Sequence, residues 1–205
     1  MYKIALTLCL LASSAFAVTA EKASAPPSDL AKEVAATLQQ EGIKIEDGGK
    51  TLAEVWFVQT APAGPEKNEL AVSFTKVPQG ALMGVMSVPE AFSDRRGQNI
   101  QKGLYTLRYS MFPPDGAHQG VSEQRDFLLL SKAAEDKDPK ATPSFKALVE
   151  ASRKASSTPH PLVFSIWKVE GDFKPGIHQE GEEWVLHTKV GDLQLAMIAV
   201  GKFGE

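Results

Sequence analysis

Glu183-Trp184-Val185-Leu186-His187-Thr188-Lys189-Val190-Gly191-Asp192-Leu193-Gln194-Leu195-Ala196-Met197-Ile198-Ala199-Val200 runs close to the end of the chain and carries its clearest local pattern. Two strand-like runs, 183–190 and 193–201, flank Gly191-Asp192, a pair of residues suited to a tight hairpin turn. The chain therefore ends in antiparallel β-structure. The same period of two recurs upstream. In 103–112, Tyr105, Leu107, Tyr109 and Met111 alternate with Thr106, Arg108 and Ser110.

Further strands are predicted around Ile43 and Ile45 and over 52–59, 69–76, 81–88, 125–131 and 162–169. Asp47-Gly48-Gly49 forms a turn, and Leu70, Val72 and Phe74 share one side of the third of these runs. Two helices interrupt them. Ser28 caps one over 29–41, with Leu30, Val34 and Leu38 as a narrow apolar stripe. Thr142 caps the second, with Pro143 at its first position and Phe145, Leu148, Val149 and Ser152 on its apolar face. About nine short strands without regular helical crossovers argue against βαβ topology. The expected fold class is mainly β: an antiparallel β-sandwich or jelly-roll-like domain with two short helices, a distorted barrel being the runner-up.

At 205 residues, with 43% hydrophobic and 23% charged residues, the chain has the size and composition of one globular domain. Its net charge of −3 gives no electrostatic reason to expect nucleic acid. Lys3, the uncharged run Ile4–Ala17, and the small-x-small sites Ala15-Phe16-Ala17 and Val18-Thr19-Ala20 have the layout of a cleaved export signal. The run is short for a membrane span. The expected organisation is a signal over 1–20, a flexible leader over 21–27, and one domain over 28–205. Removing residues 1–20 takes away Lys3 and no acid, which moves the charge from −3 to −4. It also removes Cys9, the one cysteine. A periplasmic or secreted chain without thiols has no disulfide, no thiolate metal site and no cysteine nucleophile.

The stretch richest in reactive side chains is 94–130. It holds Asp94-Arg95-Arg96-Gly97-Gln98-Asn99-Ile100, then Gly103-Leu104-Tyr105-Thr106-Leu107-Arg108-Tyr109, then Pro113-Pro114-Asp115-Gly116-Ala117-His118-Gln119-Gly120, then Arg125-Asp126-Phe127-Leu128-Leu129-Leu130. With the later Thr158-Pro159-His160-Pro161, it resembles a set of uncharacterised secreted bacterial proteins over roughly residues 50–200. This chain departs from their pattern at Arg95, where an aromatic is usual, and at Lys102, where proline is usual. The resemblance implies export and no particular activity.

The residue types suggest three chemistries. Arg108, flanked by Thr106 and Ser110 and joined by Arg95, Arg96 and Arg125, suits an anion. Asp115 and His118, with Asp126 or His160, suit a metal, although no two histidines stand at i, i+2 or i, i+4. Trp56, Trp167 and Trp184, with Tyr105 and Tyr109, suit stacking on a sugar as well as core packing. Gly-x-Ser-x-Gly, His-Glu-x-x-His and phosphate-cradling glycine loops are missing from the sequence. The leading expectation is an exported, non-catalytic module that binds a small ligand, a glycan or a protein. Its candidate site is Arg108, Asp115, His118, Arg125, Asp126 and His160, with no cofactor. The alternatives are a metal-binding protein using His118 and His160 with Asp115 or Asp126, and a hydrolase with dispersed carboxylates.

Overall fold

A computed structural model describes residues 17–113 and 124–201. In chain order the elements are β1 (Val18–Ala23), α1 (Lys32–Ala35), β2 (Gly42–Asp47), β3 (Lys50–Phe57), β4 (Leu82–Val88), β5 (Phe92–Ser93) and β6 (Asn99–Ile100). They continue with β7 (Gly103–Met111), β8 (Asp126–Lys132), α2 (Phe145–Ser156), β9 (Val163–Lys168), β10 (Gly176–Glu180), β11 (Glu183–Val190) and β12 (Leu193–Val200).

The fold is mainly β and antiparallel, as the two-residue period predicts. Ten strands form one sheet in the order β1-β2-β3-β4-β7-β8-β9-β12-β11-β10, and β5-β6 form a small separate ribbon. The sheet curls until its edge strands β1 and β10 come within 8 Å Cα to Cα, which makes a nearly closed barrel. Sequence patterning led to two packed sheets. The unbroken run of ladders gives one sheet instead, nearer to the runner-up barrel.

Both faces of the central strands are covered, so β7 and β8 read as buried runs despite their alternation. The inward face carries Tyr105, Leu107, Tyr109, Leu128 and Leu130 into the main core. The outward face of β8 carries Phe127 and Leu129, which pack under Leu148 of α2. Phe112 stacks on Phe127 at 4.1 Å between ring centroids, and Phe145 meets Phe127 edge-on at 6.4 Å. A third cluster, Val169, Val185, Ala196 and Ile198, lies under Trp167 and Phe173. No helix among the described residues is long and apolar enough to cross a membrane.

Four local expectations are corrected. Residues 18–23, expected as signal end and flexible leader, form β1, paired from Val18↔Asp47 to Ala23↔Gly42. The helix expected over 29–41 is a single turn. Its stripe Leu30, Val34 and Leu38 is buried as predicted. Beyond Ala36 the backbone is captured by the end of β3, through Gln39 N–H to Phe57 O at 2.8 Å and Gln59 N–H to Thr37 O at 2.8 Å. Residues 69–76 are a loop, not a strand. Ala71 is left-handed (φ 56°) and Leu70 is 87% exposed. The second helix is capped by Ser144, whose Oγ accepts from Ala147 N–H at 3.3 Å, rather than by Thr142.

Gly80 explains how α2 reaches the sheet. Its φ is 80°, and a Cβ there would run into the Pro143 carbonyl, so only glycine lets the entry to α2 approach so closely.

β1 gives the first prediction. Val18 is 5% exposed, and burying such a side chain is worth roughly 1.5–3 kcal/mol. A chain beginning at Glu21 should melt about 3–12 °C below one beginning at Val18, taking about 2–4 °C per kcal/mol for this size. Differential scanning calorimetry of the two chains measures this, and equal melting temperatures would show β1 to be dispensable.

Candidate functional site

The alternation of β7 sends its polar side chains to one face and its aromatic ones to the other, and this divides the expected site. Arg108 points outward toward α2 and is fully buried. All five of its N–H groups have acceptors. Nε and Nη2 grip the Asp136 carboxylate at 2.6 and 2.7 Å, a bidentate pair. Nη1 donates to the Gly80 and Ala141 carbonyls at 2.8 and 2.6 Å, and Nη2 also donates to the Asp138 carbonyl at 2.7 Å. Thr106 Oγ1 adds a 2.5 Å bond to Asp136. Arg108 therefore has no donor left for a ligand. It fastens the 136–141 segment and the Gly80 turn to the sheet.

Asp126 points the other way, into the main core. It accepts from Tyr109 Oη at 2.6 Å and from the backbone N–H groups of Ser73 and Phe74 at 2.5 and 3.4 Å. This carboxylate replaces strand pairing for residues 73–74, which is why the predicted strand over 69–76 is absent. Burial pushes the Asp126 carboxyl above the usual range, opposed by its three hydrogen bonds and by the Lys67 charge. Burial pushes the Tyr109 hydroxyl up as well, and the Asp126 charge adds to it. Lys67 lies over the Tyr109 ring at 5.0 Å from its centroid and donates to the Val77 carbonyl at 2.6 Å. Burial lowers its ammonium, with the Asp126 and Glu69 charges acting the other way.

The remaining candidates are scattered. Arg125 pairs with Glu69 at 2.9 Å and donates to the Phe112 and Leu70 carbonyls. Arg95 pairs with Glu183 and Arg96 with Asp94, each at 2.8 Å. The four arginines form no common anion site. His160 is exposed, in a loop whose Ser156 hydroxyl donates to its carbonyl at 2.7 Å. Val163 faces Leu129, so His160 lies beyond the Lys132 end of β8. Asp126 begins the other end, roughly 20 Å away at about 3.3 Å per residue. Asp126 and His160 therefore cannot share one metal ion. Asp115 and His118 lie outside the described residues. Among the described residues no group of three His, Cys, Asp or Glu side chains stands as a metal site. Of the expected sugar platform, Trp56, Tyr105 and Tyr109 are core residues. Trp56 Nε1 donates to the Ser24 carbonyl at 2.7 Å.

Two clefts flank the segment that Arg108 holds. One, of about 270 Å³, lies where β3 ends and β4 begins, lined by Ala36, Thr37, Val58, Gln59, Thr60, Leu82 and Pro139. It has hydroxyl and amide groups over apolar walls and no charged lining residue. The other, of about 170 Å³, lies between β8 and α2 and includes Ser131, Glu135 and Asp136. The sequence signal for neither was visible, because both depend on Asp136 finding Arg108.

No family model, no curated protein and no solved structure matches this chain.

Two outcomes test these assignments. Arg108→Ala leaves three carbonyls without their donors and the Asp136 carboxylate with Thr106 alone, so urea denaturation should show a loss of about 3–5 kcal/mol; a loss below 1 kcal/mol would mean the network is not structural. For Asp126, the native carboxyl titrates above its unfolded value, so the native state binds more proton in the interval between them. Wild-type stability relative to Asp126→Asn should then fall as pH rises from the ordinary carboxylate range through the raised native value. Urea titrations between pH 4 and pH 8 read this slope, and a rise instead of a fall would reverse the assignment.

Proposed function

We propose that this chain is an exported, non-catalytic binding module whose ligand sits in the 270 Å³ cleft at the junction of β3 and β4. The supporting observation is the wall of that cleft. Thr37, Gln59 and Thr60 present neutral hydrogen-bonding groups, while Ala36, Val58, Leu82 and Pro139 give apolar contact. Such a lining suits an uncharged ligand rich in hydroxyl or amide groups, such as one unit of a glycan or a short peptide. The volume is just under the roughly 300–1,000 Å³ of drug-sized sites, which fits a ligand of about one sugar ring.

The cleft is also firm. Gln59 Nε2 donates to the Leu38 carbonyl at 2.7 Å, Leu38 bridges to Val58, and Pro139 belongs to the segment that Arg108 fixes. A site built on packed elements loses little freedom when it binds. Export rests on the charged, apolar and small-residue regions of the first twenty residues, in agreement with the secreted family that the chain resembles.

Two measurements bear on this reading. Expression with the native N-terminus, followed by mass analysis, should give a chain shortened by the leader; an intact chain in the cytoplasm would remove the export half. Screening neutral glycans and peptides by amide chemical-shift mapping should perturb Thr37, Gln59 and Thr60 together, with Thr60→Trp abolishing the shifts. Turnover of an ester or glycoside substrate, unaffected by Thr60→Trp, would favour a hydrolase with dispersed carboxylates instead.

A further inference from the structure

The two cleavage patterns near the N-terminus, Ala15-Phe16-Ala17 and Val18-Thr19-Ala20, stand on opposite sides of a structural boundary. Ala17 is exposed and lies outside the sheet. Val18, the next residue, is 5% exposed and opens β1. The passage from surface to core takes a single peptide bond.

The second pattern has a structural cause of its own. Small apolar side chains at the first and third positions of a triplet are also what a period of two gives a strand. Val18 belongs to the main core and Ala20 packs against it, whereas Thr19 and Glu21 are exposed. The barrel interior therefore accounts for the residue types at 18 and 20. The register adds a second constraint. Val18, Thr19 and Ala20 face Asp47, Glu46 and Ile45, half of the six positions at which β1 pairs with β2. A cut after Ala20 leaves β2 unpaired over 45–47 and makes a bare edge there, the kind of surface that recruits strands of other chains. A cut after Ala17 removes no described strand residue and no described core residue. Ala15-Phe16-Ala17 also carries alanine at both positions that an export peptidase reads, where Val18 puts a β-branched side chain at one of them.

We propose that the exported chain is cut between Ala17 and Val18, a processing site that rests on the export reading and goes beyond it by naming the bond. The enzyme is a peptidase that reads small side chains at the first and third positions before that bond. Water is the other reactant. Its oxygen joins the Ala17 carbonyl carbon, which becomes a carboxylate as the amide bond breaks. Both of its protons go to the Val18 nitrogen, which leaves as an ammonium group. The working chain then begins at Val18 with β1 whole, and the residues that the peptidase reads are separate from those that the sheet uses.

The test expresses the full chain with its own N-terminus in a bacterial host and recovers it from the periplasm and the medium. Intact mass and N-terminal sequencing should give a chain that begins at Val18. Ala17→Leu should yield no chain beginning at Val18, whereas Ala20→Leu should be processed like the wild type. Pulse-labelling reads the cut before the domain folds, so a variant that folds poorly still reports. An exported chain beginning at Glu21, unchanged processing of Ala17→Leu, or processing blocked by Ala20→Leu would each overturn the cut site while leaving export standing. An uncut chain in the cytoplasm would instead overturn the export reading, and the cut site with it.

Discussion

The buried guanidinium of Arg108 ties the Gly80 turn and the 136–141 segment to the middle of the sheet. A charge removed from water is tolerated only with complete hydrogen bonding and an opposite charge, and here five donors meet one carboxylate and three carbonyls. Those acceptors come from two separate pieces of chain, the Gly80 turn and the 136–141 segment that holds Asp136, Asp138 and Ala141. One side chain thereby sets the start of β4, the course of the 136–141 segment and the approach to α2. Pro139 and Pro143 each wall a cleft because of it. Lysine carries a single ammonium group and cannot reproduce this fork.

Asp126 does the corresponding work on the inner face. Its carboxylate ends two backbone N–H groups that would otherwise need a neighbouring strand, and Tyr109 holds it from the barrel wall. The loop over residues 66–77 can therefore cross the sheet without joining it. The two residues most suggestive of a ligand site thus turn out to be internal fasteners, on opposite faces of adjoining strands.

What the sequence discloses follows from how local each cause is. The strands around Trp56, Met86, Tyr109, Leu129, Ile166, Val185 and Met197 are legible because a period of two and nearby turns are local facts. β1 is hidden because Val18-Thr19-Ala20 also satisfies a cleavage pattern, and its strand character depends on β2. The one-turn α1 has the right stripe, but Thr37 and Gln39 give their backbone groups to the end of β3. Arg108 reads as a solvent-facing arginine because Asp136 lies 28 residues further on, in a charged stretch with no pattern of its own.

The seam between β1 and β10 has a consequence for the order of assembly. β1 is the first described strand and β10 the tenth, with nearly the whole described chain between them. Every other junction of the sheet is a ladder, seven of the nine between strands consecutive in the chain. Closing a loop of that length is entropically costly and has no hydrogen-bond ladder to reward it. Loop-closure entropy therefore favours an order in which the sheet curls while open and meets itself last. A chain that emerges N-terminus first must hold its leading strand against β2 alone until its final quarter arrives.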